Sequence, residues 1–271
     1  MHSTSGQPTL FIRATLVLHL LALIVLIIIP VQWRWVLALI LANHLLITIN
    51  GLWPRSQWLG TNLTRLPAHS IARNEVALTI DDGPDPDVTP QVLNLLDRHA
   101  VRATFFCVGE RAARYPALCQ DIIRRGHAVE NHSQHHPLYF ALLGPRGFRR
   151  ELHSAQTTLT LATGLAPTFF RAPAGLRNPF LEPVLKRLGL QLVSWSVRGF
   201  DTRIRNVERV KQKLQKGLRA GAILLLHDGN SARTPQGVPV ILEVLPAIIE
   251  LAARSQLRFV TLTEALSHVH K

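Results

Sequence analysis

The chain has 271 residues, of which 47% are hydrophobic, and it carries a formal net charge of +13 at pH 7. This length is typical of one catalytic domain with an appendage, and the two cysteines, Cys107 and Cys119, indicate neither a disulfide framework nor a cysteine metal site. The positive charge favours anionic partners, namely nucleic acid, a phosphate-bearing substrate or an anionic membrane face, and the apolar N-terminal part favours the membrane. Nucleic acid is not expected as a partner, because the sequence lacks a basic stripe interleaved with aromatic residues.

Two apolar stretches fill the N-terminal part of the chain, at about 14–32 and 35–53. Each approaches the ~20 residues that a helix needs to span a bilayer. Four of the five tryptophans lie at the ends of these stretches, where membrane-interface belts are found: Trp33, Trp35, Trp53 and Trp58. We predict that residues 1–53 form an N-terminal transmembrane hairpin of two helices.

Two alternatives to the hairpin stay open, namely a cleaved signal peptide and a single span followed by a helix buried in protein. A hairpin puts both of its ends on one side of the membrane, and the arginines near those ends are Arg13, Arg55, Arg65 and Arg73, against Arg34 in the turn. The positive-inside rule then predicts an inner-membrane protein with a cytoplasmic catalytic domain, with a periplasmic domain as the alternative. Residues 54–74 show no clear periodicity and are interpreted as a linker.

From residue 75 to 271, short apolar runs alternate with helix-like stretches. The strand-like runs are 76–80, 103–108, 128–131, 169–171, 191–195, 222–226 and 258–262, and the helix-like stretches are 90–99, 111–125, 146–163, 179–188, 206–218 and 238–253. This alternation predicts a parallel α/β architecture, and about seven repeats favour a barrel. In such barrels the chemistry gathers at the carboxyl ends of the strands.

Two adjacent carboxylates, Asp81 and Asp82, end the first predicted strand and are followed by Gly83 and Pro84. Neighbouring strand residues point to opposite faces, but a turn directly after the strand lets both carboxylates face one pocket. Because such close charges repel, at least one of them needs a cation or a strong donor. The alternative is an ordinary capped turn, since Asp, Gly and Pro are common turn residues.

A histidine cluster follows the third predicted strand. His132 and His136 are four residues apart, so one helical turn would place their imidazoles on one face. Two imidazoles, a carboxylate and an open water position form a common catalytic zinc site. His135 is a competing ligand or a surface residue, and the Asp81-Asp82 pair is what favours metal binding by this cluster.

Three further polar residues fall at or just after predicted strand ends. Arg171 could keep a neighbouring carboxylate charged, or it could be a surface residue before a turn. Asp201 could orient a histidine, or it could cap the helix that follows. His227 ends the most apolar strand, where a titrating group is costly unless it is used or paired.

These segments, in this order, resemble the polysaccharide deacetylase family, carbohydrate esterase family 4, over about residues 75–265. The family's Asp-Asp motif appears as Thr79-Ile80-Asp81-Asp82-Gly83-Pro84, with Ile80 in place of Phe, and its histidine motif as His132-Ser133-Gln134-His135-His136. The resemblance implies a distorted (β/α) barrel and hydrolytic removal of an N-acyl group, acetyl or formyl, from an amino sugar.

The resemblance also implies a role for each site residue. The metal ligands would be Asp82, His132 and His136, and Zn²⁺ is the expected metal. Asp81 would be the general base, and Arg171 would keep it charged. His227 would be the general acid, and Asp201 would adjust its acidity. The backbone N–H of Ala174 would bind the oxyanion. Ala174 and Thr202 replace aromatic residues of the family pattern, which removes sugar-stacking surface and argues against a chitin-like polymer.

The predicted anchor, the basic domain and the cytoplasmic side together favour an N-acylated amino-sugar glycan linked to a lipid phosphate. A basic run would contact lipid headgroups or substrate phosphate, or would simply be a solvated helix face: Arg203, Arg205, Arg209, Lys211, Lys213, Lys216 and Arg219. One alternative function is a periplasmic deacetylase of peptidoglycan or another polysaccharide. An alternative of another class is an inactive, membrane-tethered binding protein.

Overall fold

Two long apolar helices lead into an α/β domain in the computed structural model, which describes residues 7–267. The outer ends of the predicted anchor and of the predicted catalytic domain, residues 1–6 and 268–271, lie outside the described residues. Helix α1 is Leu10–Ile28 and begins where the Thr9 side chain accepts a hydrogen bond from the N–H of Ile12. Helix α2 is Trp33–Leu52. Both helices are long and apolar enough to cross a membrane, which suits an anchor and a signal sequence alike.

Eight parallel strands form one curled sheet. They are β1 Glu75–Asp81, β2 Thr104–Cys107, β3 Ala128–Asn131, β4 Phe169–Phe170, β5 Gln191–Leu192, β6 Val197–Arg198, β7 Ile223–His227 and β8 Arg258–Val260. The order across the sheet is β5-β4-β3-β2-β1-β7-β6, and β8 pairs with the first half of β1. The predicted barrel is therefore confirmed as a half-barrel that stays open between the two-residue strands β5 and β6. The short strand β6 was missed by the sequence analysis.

Within the described residues, nine further α-helices follow the two apolar ones. They are α3 Ala68–Ala72, α4 Thr89–Arg98, α5 Gly109–Arg114, α6 Pro116–Arg124, α7 Pro145–Thr163, α8 Leu181–Arg187, α9 Val207–Gln215, α10 Val240–Arg254 and α11 Leu262–Ser267. The helix expected over 111–125 is two helices, because Pro116 has no N–H to continue α5 and instead begins α6. Strands β1 and β7 are buried along their whole length, so their ends hold side chains on a rigid base.

Residues 54–74 lie against the sheet, although the sequence showed no regular pattern there. The stretch contains α3, and Leu63 pairs with Val193 beside strand β5. Leu59 and Leu66 are buried, and the Asn62 side chain donates to the carbonyls of Pro54 and Ser56. This stretch, interpreted as a linker, is thus packed, while the division of the chain into anchor, linker and catalytic domain stays a prediction.

His127, just before β3, predicts a pH-dependent stability. It is buried, its Nδ1 accepts the Ala103 N–H, and burial lowers its pKa from 6.5 to about 4. The unfolded chain therefore takes up a proton between pH 6.5 and 4 that the folded chain does not, and about 3 kcal/mol of stability is lost as the pH falls through this window. We expect His127→Asn to lose less thermal stability between pH 7 and 4.5 than the wild type in detergent. His99→Asn, at an exposed position, serves as the control.

Candidate active site

One open cavity of about 170 Å³ lies at the carboxyl ends of the strands, as expected for this architecture. It gathers side chains from the ends of β1, β3 and β7 and from the loop after β4. The predicted residues that line it are Asp81, Asp82, His132, His136, Ala174 and His227, and Arg171 and Asp201 lie directly behind them. All eight predicted site residues therefore meet at one place.

Asp82, His132 and His136 form a cluster suited to a metal ion. The Oδ1 atom of Asp82 is 3.2 Å from the Nε2 atom of each histidine, and the three candidate ligand atoms lie within 4.8 Å of one another. Nitrogen and oxygen ligands at 2.0–2.1 Å around a tetrahedral ion would be separated by roughly 3.3 Å, and the two distances from Asp82 match this separation. His136 is only partly buried, which leaves one side of the cluster open to the cavity.

The local backbone explains how this cluster forms. Asp82 adopts a left-handed conformation, with φ of 74°, and this turns its carboxylate into the cavity beside that of Asp81. Asp residues tolerate this region better than most. The carbonyl of Arg171 accepts a hydrogen bond from His132 Nδ1–H at 2.8 Å, which leaves Nε2 free to bind an ion.

The helical turn expected between the two histidines is wrong. They are joined by a loop in which Ser133 and His136 have φ of 66° and 49°, and the Ser133 hydroxyl accepts the His136 N–H at 3.0 Å. The Asn131 side chain also accepts the Ser133 N–H, which tightens the turn after β3. His135 faces away, because its Nδ1 bonds Glu151 Oε1 at 2.9 Å, and it takes no part in the cluster.

The charges around Asp82 favour its ionised form. Burial raises its pKa, but the hydrogen bond and charge of His132 and the charge of His227 outweigh burial and bring the pKa below its usual value. Burial also lowers the pKa of His136, which keeps its imidazole neutral and able to act as a ligand.

Asp81 is held by a fully buried arginine. Arg171 Nη1 is 2.6 Å from Asp81 Oδ1 and 2.7 Å from the Thr79 hydroxyl. The other arginine nitrogens donate to the carbonyls of Val193 and Ser194, and the guanidinium lies 4.1 Å from the centre of the Phe106 ring. Arg171 is therefore an immobile cation that fixes one oxygen of Asp81, and the alternative of a surface arginine is wrong.

His227 is held by Asp201 through two hydrogen bonds. The Asp201 carboxylate accepts His227 Nδ1–H at 2.9 Å and the His227 backbone N–H at 2.7 Å. Burial lowers the pKa of His227, but the charge and hydrogen bond of Asp201 outweigh it and raise the pKa to about 9. The imidazole is therefore protonated at neutral pH. The side chain that caps the following helix belongs to Asn206, so the capping alternative for Asp201 is wrong.

Several cavity residues were not found by sequence reasoning, among them Trp195, Arg198 and Asn230. Asn230 Nδ2 donates to Asp82 Oδ2 at 2.8 Å, and so it orients the carboxylate whose other oxygen faces the two histidines. Partners of this kind typically change metal affinity by 10–100-fold. No pattern in the sequence marks Trp195, Arg198 or Asn230 as cavity residues.

Asn230 gives a prediction about metal affinity. We expect Asn230→Ala to weaken the binding of a divalent metal by about 10–100-fold while the fold is kept, because the Asp82 carboxylate loses its orienting donor. Competition with a chromophoric chelator measures the affinity. Asn178→Ala, in a loop outside the cluster, is the control, and an unchanged affinity in Asn230→Ala would contradict the assignment.

Comparison with known proteins agrees with this geometry. The family model described as polysaccharide deacetylase matches residues 70–193. The chain is 34% identical over 204 residues to a peptidoglycan-N-acetylglucosamine deacetylase of Bacillus cereus, covering 74% of this chain and 92% of the relative. It is 35% identical over 173 residues to a chitooligosaccharide deacetylase of Bradyrhizobium sp., covering 60% and 78%.

A solved structure of the Bc1960 peptidoglycan N-acetylglucosamine deacetylase has the same fold. It is similar to this chain with a TM-score of 0.69 and 28% identity, and the match covers 76% of this chain and 92% of that one. The resemblance indicated by the five segments is thus supported over most of the α/β domain. The chain belongs to the polysaccharide deacetylase family, carbohydrate esterase family 4, and is an enzyme of that family.

Proposed function

We propose that this protein removes an N-acyl group, acetyl or formyl, from an amino sugar of a membrane-associated glycan. The observation that carries the proposal is the meeting, in one cavity, of a possible metal cluster with two paired acid–base groups. These are Asp81 with Arg171, and His227 with Asp201. Hydrolysis of an amide needs an activated water, a base, an acid for the leaving amine and a site for the oxyanion, and each has a candidate here.

The metal would be held by Asp82, His132 and His136, and two histidines with one carboxylate favour zinc. When bound, such an ion supplies a water of lowered pKa and polarises the carbonyl of the substrate. The bond from His132 Nδ1 to the Arg171 carbonyl would leave Nε2 available to hold such an ion. Arg171 thereby supports both the ligand cluster and the base.

Asp81 acts as the general base in this proposal. Its Oδ1 is occupied by Arg171, whereas its Oδ2 lies 3.8 Å from His132 Nε2, beside the metal cluster. That free oxygen can take the proton of the attacking water. Since the Arg171 guanidinium is buried and fixed, the carboxylate cannot turn away from this position.

His227 donates the proton that the leaving amine needs. Asp201 holds its Nδ1, so Nε2 is the ring nitrogen available to the substrate. Ala174 lines the cavity with φ of 53°, and we assign its backbone N–H to the oxyanion. This assignment needs only the backbone, so the loss of the family's aromatic side chain at this position does not affect it.

The position of the N-terminal helices supports a substrate at the membrane. The Arg177 N–H donates to the Gly51 carbonyl at the end of α2 at 3.1 Å, and Ser194 Oγ donates to the Pro54 carbonyl at 2.6 Å. A Cβ on Gly175 would lie 2.6 Å from both Pro54 and Trp195, so the cavity wall is packed directly against the chain that leaves α2. The open end of the hairpin therefore lies beside the cavity.

Exposed apolar side chains next to this junction also support a substrate at the membrane. Leu138 is 100% exposed, Leu142 84% and Phe180 54%. The Asn178 side chain connects the segment of Phe180 to the segment of Leu142, because it donates hydrogen bonds to the carbonyls of Ala141 and Leu143. Arg146, Arg149 and Arg150 are exposed at the start of α7, and apolar side chains beside cations are typical of contact with an anionic lipid surface. This surface favours a lipid-linked amino sugar as the substrate.

The second candidate function is deacetylation of peptidoglycan or another polymer outside the cytoplasm. It is favoured by the relatives, which are described as peptidoglycan-N-acetylglucosamine and chitooligosaccharide deacetylases. The two candidates differ in the side of the membrane on which the domain lies. Reporters fused after Lys271, one active only outside the cytoplasm and one active only inside, decide between them.

The activity itself is tested by measuring acetate and formate released from two substrates, a lipid-linked amino-sugar intermediate and a soluble N-acetylglucosamine oligomer. We expect faster release from the lipid-linked substrate, and release from either to fall by about 10²–10⁴-fold in Asp81→Asn, which keeps the shape but not the base. Release from the oligomer alone would overturn the lipid-linked proposal. Release that Asp81→Asn does not change would overturn the assignment of the base.

A further inference from the structure

Arg198 is a cation of the cavity that the proposed chemistry does not use. It ends β6, the edge strand at the open side of the half-barrel, where it is paired in register with Leu225 of β7. Its guanidinium carbon lies 5.2 Å from the centre of the Trp195 ring and 5.1 Å from that of the Phe200 ring. The two rings fix its position at the cavity wall, because cations at this distance are attracted to aromatic faces.

The guanidinium of Arg198 has no carboxylate of its own. Among residues 7–267 it makes no ion pair within 4.0 Å, and its buried Nε has no hydrogen-bond partner. The three carboxylates nearby are already matched, since Asp81 pairs with Arg171, Asp201 with His227, and Asp82 with the two histidines of the cluster. An unpaired, partly buried cation is costly to desolvate, and this cost is offset when an anion binds to it.

A second unpaired arginine lies at the mouth of the same cavity. Arg203 lines the cavity together with Thr202, is exposed to solvent, and makes no side-chain hydrogen bond or ion pair in the described part of the chain. Arginine is the side chain best suited to phosphate and carboxylate groups, because its planar fork donates two parallel hydrogen bonds. The part of the cavity lining formed by these two arginines is therefore positive, and no side chain among residues 7–267 pairs with either of them.

We propose that Arg198 and Arg203 form an anion subsite, which binds a phosphate or carboxylate group carried by the amino sugar. This inference rests on the proposed function, since it names the charge of the substrate that occupies the same cavity. The subsite accounts for the loss of stacking surface at Ala174 and Thr202, because an ion pair with the substrate would replace part of the binding free energy that aromatic rings would supply. A neutral oligosaccharide would leave the two arginines unpaired.

The test compares three monosaccharide probes by calorimetric titration of the full-length protein in detergent. They are N-acetylglucosamine 1-phosphate, N-acetylmuramic acid, which carries a carboxylate, and neutral N-acetylglucosamine. We expect the wild type to bind at least one anionic probe about tenfold or more tightly than the neutral one, since hydrogen bonds to charged groups have this size. The preferred probe then identifies the anion as phosphate or carboxylate.

Variants show whether the preference comes from these residues. Arg198→Gln should remove most of it and leave the affinity for the neutral probe within about twofold, Arg198→Lys should restore part of it, and Arg203→Gln should have a smaller effect. Arg98→Gln, at an exposed arginine of α4 that neither lines the cavity nor belongs to the basic run, is the matched control. Equal affinities of the wild type for all three probes, or equal losses for charged and neutral probes in Arg198→Gln, would overturn the subsite.

The binding readout separates this inference from the proposed function. If no acetate or formate is released from any substrate, while the anion preference is present in the wild type and lost in Arg198→Gln, the proposed chemistry fails and the subsite stands. If release occurs and the preference is absent, the subsite fails and the chemistry stands. The preference should also weaken as ionic strength rises, because it is electrostatic.

Discussion

Asp82→Ala should remove both the bound metal and the activity. The Oδ1 atom of Asp82 is the only candidate ligand that faces both His132 Nε2 and His136 Nε2, each at 3.2 Å, within the described residues. Without it, two imidazoles remain, and the neighbouring carboxylate of Asp81 is held by Arg171. Since a catalytic metal supplies several kcal/mol of transition-state stabilisation, we expect turnover to fall by about 10³-fold or more.

Two measurements on the same preparation check this result, namely metal per chain by mass spectrometry after purification without chelator, and acetate or formate release. Asp87→Ala is a close control, because Asp87 lies in the same turn after β1 but is exposed. Its metal content and activity should stay at wild-type values. An Asp82→Ala protein that keeps a full equivalent of metal would show that the ligand cluster is wrongly assigned.

The sequence indicated the site because its motifs fall where parallel strands end. Asp81 and His227 end strands β1 and β7, which pair directly in register, so two residues 146 positions apart become neighbours through the sheet alone. Arg171, just after β4, is bonded through its N–H to Asn131 of β3. Once the strands were recognised, the topology of a parallel sheet was sufficient to bring these groups together.

The loop between the histidines could not be predicted in this way. Spacing of four residues suits a helical turn, but the loop must also place His132 Nδ1 on the Arg171 carbonyl and His136 Nε2 on Asp82. Positive φ at Ser133 and His136 satisfies both contacts, and it is held by the Ser133 hydroxyl. Tertiary contacts here overrode the local pattern, because they outweigh the small preference of two residues for helix.

Arg198 and Asn230 were missed for a different reason. Each acts through a contact that is remote in sequence or through its surroundings, and neither is among the motif residues to which a role was assigned. Asn230 bonds Asp82 across 148 positions, and Arg198 belongs to a strand of two residues that is too short to show a pattern. The packed course of residues 54–74 was missed likewise, since single contacts such as Asn62 with Pro54 hold it.

His227→Ala should keep the metal and lose turnover. His227 makes no ligand contact, so metal content should stay at the wild-type value. Loss of a general acid typically lowers the rate by about 10²–10⁴-fold. The same two measurements separate this variant from Asp82→Ala, in which metal and activity disappear together. Wild-type rates in His227→Ala would show that another group protonates the leaving amine.

Asp201→Asn tests how the acid is tuned. The raised pKa of His227, about 9, means that the imidazole is protonated below pH 9, so the wild-type rate should decline only as the pH rises through about 9. Asparagine keeps a hydrogen-bond acceptor but removes the negative charge that raises the pKa of His227 against the effect of burial. The pKa of His227 should then fall by about 1–3 units, and the alkaline decline should move to lower pH by the same amount. Below pH 6.5 the ion pair of His227 and Asp201 stabilises the wild type, and this stability is lost as the pH rises towards 9. Asp201→Asn should lack this stabilisation. A pH–rate profile of Asp201→Asn that coincides with the wild type would mean that Asp201 positions His227 without setting its charge.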